Sequence, residues 1–319
     1  MLQIVKSKLK LYWEFARPFT LLPPALGMVS GGITALGADP QWESHWVDPG
    51  WAFAIYMGPD WLRITWYIVV GAIMAATLNA ASNALNQITD LTNDSVSKPT
   101  RPIPSGRISI TEATVITVFW YVLALFMSFL VNWQCFLIVL VASFFIYGYS
   151  AKPFRTKARG WWANFTIAIP RGILLKVAGW SSVKTIFAAE PWYIGLIFGL
   201  FLLGAATTKD FSDMEGDAAD GCKTLPVKYG PKAAAWMIAP FFVLPFPLIP
   251  LGAHWGILTG NRLMLDIMGV GLALWGCYTV WLLLRNPDEL SKTENHPSWK
   301  HMYGMMMGMQ IGFALSYLF

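Results

Sequence analysis

The sequence predicts an all-α polytopic membrane protein, a bundle of nine transmembrane helices. Three observations carry that prediction. Hydrophobic residues make up 55% of the 319 and charged residues only 13%, where a soluble domain carries about 25% charged residues. Mean hydropathy is +0.48. Apolar stretches near the ~20 residues that cross a bilayer recur along the whole chain, and in lipid only helices or closed barrels satisfy the backbone polar groups.

Taken in order, the stretches fall at about 18–36, 64–88, 111–131, 134–150, 163–181, 191–208, 233–252, 264–284 and 302–319. The first has a basic lead and an Ala35-x-Gly37 end, a loose likeness to a signal peptide. Pro23-Pro24 and the eight spans that follow favour an uncleaved first helix. The fifth carries Arg171 and Lys176 inside an apolar run. A charge at that depth is a functional hypothesis by default, although a lysine can also snorkel to an interface. The ninth is short. No linker or low-complexity segment divides the chain, so residues 1–319 read as one domain with motif loops at 86–107, 147–164 and 209–230.

Orientation follows from the loops. Lys6, Lys8, Lys10 and Arg17 precede the first span, and Lys98, Arg101 and Arg107 follow the second. Lys152, Arg155, Lys157 and Arg159 follow the fourth, and Lys223, Lys228 and Lys232 follow the sixth. The longest intervening loop is acidic, with Asp39, Glu43, Asp48 and Asp60. The positive-inside rule then puts the N-terminus and the motif loops in the cytoplasm and the C-terminus outside, in the cell membrane. The net charge of +5 is therefore a topology signal and poor evidence for nucleic acid. Cys135, Cys222 and Cys277 are scattered and form no disulfide or zinc framework.

Two acidic clusters with nearly the same layout end two of the apolar helices. The first is Asn86-x3-Asp90-x3-Asp94 and the second Asp210-x2-Asp213-x3-Asp217. Offsets of three and four place each set on one helical face. Carboxylates at a helix C-terminus repel one another and the macrodipole, so a positive charge is missing. Asp90 and Asp94 match Asp213 and Asp217 at one constant offset, and each pair is followed by a basic residue, a proline-containing stretch and Gly106 or Gly230. This is a faint parallel repeat, whose two halves would bring both sets to one cytoplasmic-side cavity.

Carboxylate and amide oxygens are hard ligands suited to Mg2+, which keeps waters or substrate phosphates in its shell. With Lys98, Arg101, Lys152, Arg155 and Lys223 just beyond the carboxylates, the clusters look like a diphosphate site above an apolar bundle fit for a hydrocarbon tail. The chemistry this suits is ionisation of an allylic diphosphate, its carbocation then trapped by an acceptor. Each piece has a plainer reading. A single D-x3-D is usually a solvated helix end, the basic residues are usually topology anchors, and Tyr147 and Tyr149 are commonly interfacial aromatics. Two matched acidic copies at equivalent depth favour the site. A transporter of divalent cations or anions is the alternative, and it would need polar residues continuing across the bundle. Segments such as Phe241–Pro250 are instead apolar. An alcohol phosphotransferase would need Asp-Gly-x2-Ala-Arg, but Asp220-Gly221 is followed by Cys222-Lys223-Thr224-Leu225.

Asn86-x3-Asp90-x3-Asp94 with Arg101-Pro102-Ile103-Pro104-Ser105-Gly106, and Lys209-Asp210-x2-Asp213-x-Glu215-Gly216-Asp217 with Thr224-Leu225-Pro226-Val227, resemble the two signature loops of the UbiA superfamily of intramembrane prenyltransferases. The stretch from Tyr149 to Asn164 resembles that family's loop after its fourth helix, and Arg17-Pro18 its first-helix opening. The resemblance implies a nine-helix bundle around a central cavity, Mg2+ as cofactor, and transfer of a prenyl group from its diphosphate to a lipophilic or aromatic acceptor. It implies that Asn86, Asp90, Asp94, Asp210, Asp213 and Asp217 hold the Mg2+-diphosphate. It makes Arg17, Lys98, Arg101, Lys152, Arg155, Arg171 and Lys223 candidates for substrate contacts, and Tyr147 or Tyr149 for the cation or diphosphate. Asn86-Gln87, Lys209-Asp210 and Arg171-Gly172 are similar to homogentisate prenyltransferases. Arg101 to Gly106, Gly160-Trp161-Trp162-x-Asn164 and Leu225-Pro226-Val227 are similar to chlorophyll synthases and archaeal geranylgeranylglyceryl phosphate prenyltransferases. These signals point to different acceptors.

Overall fold

The computed structural model describes residues 2–38, 60–293 and 296–319; the acidic loop residues Asp39, Glu43 and Asp48 lie outside them. Helix α1 (Leu2–Ala16) passes through a 3-10 turn at Pro18–Leu21 into α2 (Leu22–Gly37). Helix α3 (Asp60–Thr89) runs into the short α4 (Leu91–Ser97), and α5 (Ile110–Val131) and α6 (Trp133–Ser150) form a helical hairpin. Next come α7 (Trp161–Ala168), a π-turn at Ile169–Leu174 and α8 (Leu175–Ser181). Helix α9 (Ala189–Ala205) continues into α10 (Thr207–Asp210), followed by the short α11 (Met214–Ala219). The chain ends with α12 (Leu225–Ile238), α13 (Leu248–His254), α14 (Arg262–Leu284) and α15 (Pro297–Leu318).

Six helices are long and apolar enough to cross a membrane, at Pro18–Gly37, Trp61–Thr89, Ile110–Val131, Trp133–Ser150, Ala189–Asp210 and Arg262–Leu284. The other three expected spans depart from that pattern for physical reasons. Segment 163–181 is helical but contains the π-turn and two charged side chains. Segment 233–252 is interrupted after Ile238 by a 3-10 turn and by Pro240, Pro245 and Pro247, which remove backbone donors. Helix α15 has the length, but Lys300, His301 and Gln310 dilute its apolar character.

Local chemistry explains the helix ends. Ser109 caps α5 by accepting from Glu112 N at 3.1 Å, in the Ser-x-x-Glu arrangement of a capping box. Between α5 and α6, Asn132 accepts from Cys135 N at 2.8 Å and donates to Ser181 O at 2.6 Å. One asparagine thus turns the hairpin and ties it to α8.

The interior divides into two large apolar clusters. One joins α9 through Phe198 and Phe201 to Phe242, Phe246, Leu272 and Phe313 of the C-terminal helices. The other joins Met28 of α2, Met74 of α3, Ile138 of α6 and Val177 of α8. Outside, Val115, Val118, Phe119, Val122 and Phe126 of α5 stay exposed, an apolar stripe at helical spacing that suits a lipid face. Helices α2 and α8 touch backbone to backbone, since a Cβ on Gly31 would lie 2.8 Å from Gly179 Cα. Small residues permit this approach, which is the usual packing device between membrane helices. Replacing Gly179 with leucine should force them apart at a cost of about 1–3 kcal/mol. The check is the thermal unfolding midpoint in detergent, which falls if the contact exists and stays put if it does not.

Candidate active site

Both acidic clusters sit on a kink, not on a straight helix. Asp90 has φ −102°, ψ 15° and Asp213 has φ −99°, ψ 6°, so the two copies share a backbone conformation at the same residue of the repeat. The i→i−4 hydrogen bonds survive the kinks, with Asp94 N to Asp90 O and Asp217 N to Asp213 O both at 2.8 Å. Asp94 and Asp217 therefore lie in the first turn of α4 and α11, near the positive ends of those short helices. The two short helices face each other, since a Cβ on Gly216 would lie 2.7 Å from Asn93 Oδ1.

Beneath them opens a cavity of about 390 Å³. Asn86, Asp90, Asp94, Asp210, Asp213 and Asp217 all lie on its wall, as do Arg17, Lys98, Arg101, Tyr149 and Arg171. Tyr147, Lys152, Arg155 and Lys223 do not. Tyr147 is 46% exposed, because residues two apart on α6 point to opposite sides. Lys152 and Lys223 are exposed, and the Arg155 guanidinium pairs at 2.5 Å with Asp220, itself on the cavity wall.

Ion pairs cross-link the loops. Arg101 holds Asp94 at 2.5 Å within the first copy, and Lys98 reaches Asp213 of the second at 3.8 Å. Lys157 contacts Asp90. Sequence reasoning gave Lys157 no site role; its only signal was membership of a basic loop. What brings it inward is Arg155 in the left-handed region at φ 37°, after which a 3-10 turn at Thr156–Ala158 buries Lys157. Arg17 is also left-handed, at φ 58°. Strained residues of this kind persist where the surroundings over-determine them. Gln87 supplies part of that constraint by donating to Phe15 O at 2.9 Å, and Asn83 by donating to Ala16 O at 2.9 Å.

The electrostatics are unfinished on both sides. Among the described residues, Asp210 and Asp217 make no ion pair. Burial, and then the nearby Asp213 charge, push the Asp217 carboxyl up to about 6. Arg17 and Arg171 make no ion pair either, and burial followed by the Arg101 charge pushes the Arg17 guanidinium down. Among the described residues, no three His, Cys, Asp or Glu side chains form a ready-made metal cage. An all-oxygen donor set short of positive charge, beside guanidinium groups short of negative charge, fits Mg2+ bridged by a diphosphate.

Comparison with known proteins decides the family. The model of the UbiA prenyltransferase family matches residues 46–299. The chain belongs to that family. It is 31% identical over 253 residues to a digeranylgeranylglyceryl phosphate synthase of Methanobrevibacter smithii, covering 78% of this chain and 86% of the relative. It is 30% identical over 217 residues to the bacteriochlorophyll synthase 34 kDa chain of Chloroflexus aurantiacus, covering 66% and 70%. A UbiA homolog from Archaeoglobus fulgidus, solved with GPP and Mg2+, shares the fold at a TM-score of 0.71 and 20% identity, over 97% of this chain and 99% of that one. This UbiA-family prenyltransferase is therefore an integral membrane protein.

A pH response follows from Asp217. A carboxyl whose folded pKa is raised binds its proton more tightly in the native state, so its effect on stability becomes less favourable as pH rises. The window lies between the unfolded value of about 3.9 and about 6. Metal-free protein should therefore lose stability as pH rises through this window, and Asp217→Asn should remove that component. Thermal unfolding after EDTA treatment measures both, and an identical pH slope in the variant would contradict the assignment.

Proposed function

We propose that this protein transfers a prenyl group from an allylic prenyl diphosphate to a lipophilic or aromatic acceptor inside the membrane, with Mg2+ as cofactor. The observation that carries the reading is the pair of kinked acidic copies facing one another over a cavity whose deeper wall is apolar. The relatives' names and the GPP and Mg2+ in the Archaeoglobus fulgidus homolog favour the same chemistry.

In this reading Asn86, Asp90, Asp94, Asp210, Asp213 and Asp217 hold the Mg2+-diphosphate. Lys98, Arg101 and Lys157 keep the carboxylates apart and oriented while taking part of the phosphate charge. Bound Mg2+ supplies neutralisation of the departing diphosphate. The C1–O bond of the donor breaks, and the diphosphate leaves with the electron pair. The acceptor's nucleophilic atom forms the new bond to C1 and gives up its proton. Tyr149, on the cavity wall, offers a ring face for the allylic cation. Arg17 and Arg171 hold the remaining negative charge of the substrates, and the apolar wall excludes water that would otherwise trap the cation. One domain of nine membrane-crossing helices, N-terminus and site cytoplasmic and C-terminus outside, is the topology proposed with it. Tyr147, Lys152, Arg155 and Lys223 then act outside the cavity, Arg155 by fixing Asp220.

Purified protein is incubated with radiolabelled geranylgeranyl diphosphate, Mg2+ and a panel of homogentisate, 4-hydroxybenzoate, chlorophyllide and geranylgeranylglyceryl phosphate. Label should pass to one acceptor, be lost in EDTA, and fall about a hundredfold or more in Asp90→Ala and Asp213→Ala. Failure to bind the diphosphate in Mg2+ would overturn the reading.

A further inference from the structure

Lys152 and Lys223, which turn away from the cavity, are brought together on the outside of the bundle. Arg159 and Lys223 pair in a parallel bridge, with Lys223 N donating to Ala158 O at 3.1 Å. The Arg159 guanidinium reaches back to Pro153 O at 3.3 Å, which carries it beside Lys152. Along this one loop Lys157 turns in to Asp90, while Lys152 and Arg159 turn out. All three outer cations are exposed, and none has a carboxylate partner among the described residues. Asp220, three residues before Lys223, is taken by Arg155 at 2.5 Å. Like charges set directly opposite one another across a bridge are destabilising, so this one lacks a negative charge that the chain does not supply.

The surroundings place these cations at the edge of the hydrocarbon. Helix α6 exposes Leu137, Leu140, Val141 and Phe144, at the offsets of three and four that make one helical face. Phe154 leaves the loop to lie edge-on against Phe144, with ring centres 5.8 Å apart. From the same end of α6, Tyr147 donates to Lys152 O at 3.4 Å. On the other side of the bridge, just beyond Gly160, Trp162 and Phe165 of α7 are exposed with ring centres 6.2 Å apart. Exposed aromatic rings of this kind settle at the headgroup level of a bilayer.

We propose that the Arg159–Lys223 bridge, with Lys152, binds the headgroup of an anionic phospholipid in the leaflet on the motif-loop side. The phosphate meets the guanidinium and ammonium groups, and the two aromatic pairs flank the glycerol and the first methylenes. A soluble polyanion would leave those rings without a partner, and phosphatidylcholine would bring a cation of its own to a site already crowded with them. The site is separate from the cavity and does not depend on the prenyl-diphosphate reading.

The test is native mass spectrometry of the full-length protein titrated with dioleoyl phosphatidylglycerol or dioleoyl phosphatidylcholine, which resolves the first bound lipid. Affinities are compared as the ratio of the two lipids within each variant, so the fraction of folded protein cancels. The wild type should bind phosphatidylglycerol about fivefold or more tighter, the factor that one lysine or arginine near an anionic surface supplies. The triple variant Lys152→Gln, Arg159→Gln, Lys223→Gln should bring the ratio close to one. A control that removes the same charge from other exposed positions, Lys10→Gln, Lys292→Gln, Lys300→Gln, should keep it. Equal affinity for the two lipids in the wild type, an unchanged ratio in the first triple variant, or an equal fall in both triple variants overturns the site. Inorganic phosphate and pyrophosphate in EDTA should leave the bound phosphatidylglycerol in place. Its displacement by either would overturn the lipid as occupant and make this a site for a soluble anion.

Discussion

Like charges have to be held together at one end of a hydrocarbon bundle, and the rest of the architecture answers to that constraint. Two carboxylates about 4 Å apart repel by about 4 kcal/mol at an effective dielectric near 20. The cavity wall carries six, Asp90, Asp94, Asp210, Asp213, Asp217 and Asp220. Kinks at Asp90 and Asp213 direct each set inward while placing Asp94 and Asp217 at the favourable ends of short helices. Lys98, Arg101, Arg155 and Lys157 pair with four of the six, and Asp210 and Asp217 make no ion pair among the described residues.

The basic side shows the same economy of placement. Arg171 is carried by the π-turn, which widens the helix where α7 meets α8. Opposite it, a Cβ on Gly172 would lie 2.5 Å from Gly199 Cα, so the turn is clamped against α9 by a contact only glycine permits. π-Turns recur at functional positions because they re-aim side chains without ending the helix. Asn164 on α7 reinforces the clamp by donating to Leu203 O and Thr207 Oγ1, both at 2.7 Å. The acidic α10 and the basic π-turn are thereby built on one rigid unit.

Polar atoms in the interior serve the same end. Gln87 and Asn83 anchor the chain just before Arg17, Asn132 anchors the α5–α6 hairpin, and Lys176 on α8 bonds Ser30 on α2 and Gln310 on α15. Each uses an amide or ammonium to satisfy a backbone or side-chain acceptor that lipid could not. The apolar clusters provide bulk stability, while these few bonds fix where helices sit along one another.

Periodicity and composition by themselves determined the helical class, most of the membrane segments and the acidic repeat, while the motif residues carried the resemblance to the family. Those signals are local: a helix needs its own apolar run, and a D-x3-D spacing reports one helical face whatever surrounds it. Only the tertiary structure decided which of Tyr147 and Tyr149 faces the cavity, since both sit on one helix and the neighbours choose the side. It also decided that Lys157 turns in while Lys152 and Lys223 turn out, because the left-handed Arg155 redirects a loop whose composition is uniformly basic. The interruption of 233–252 was legible in its prolines but outweighed by its hydropathy. The hydrogen bonds among Lys176, Ser30 and Gln310 join residues far apart in the chain, and no spacing within a helix records such a meeting.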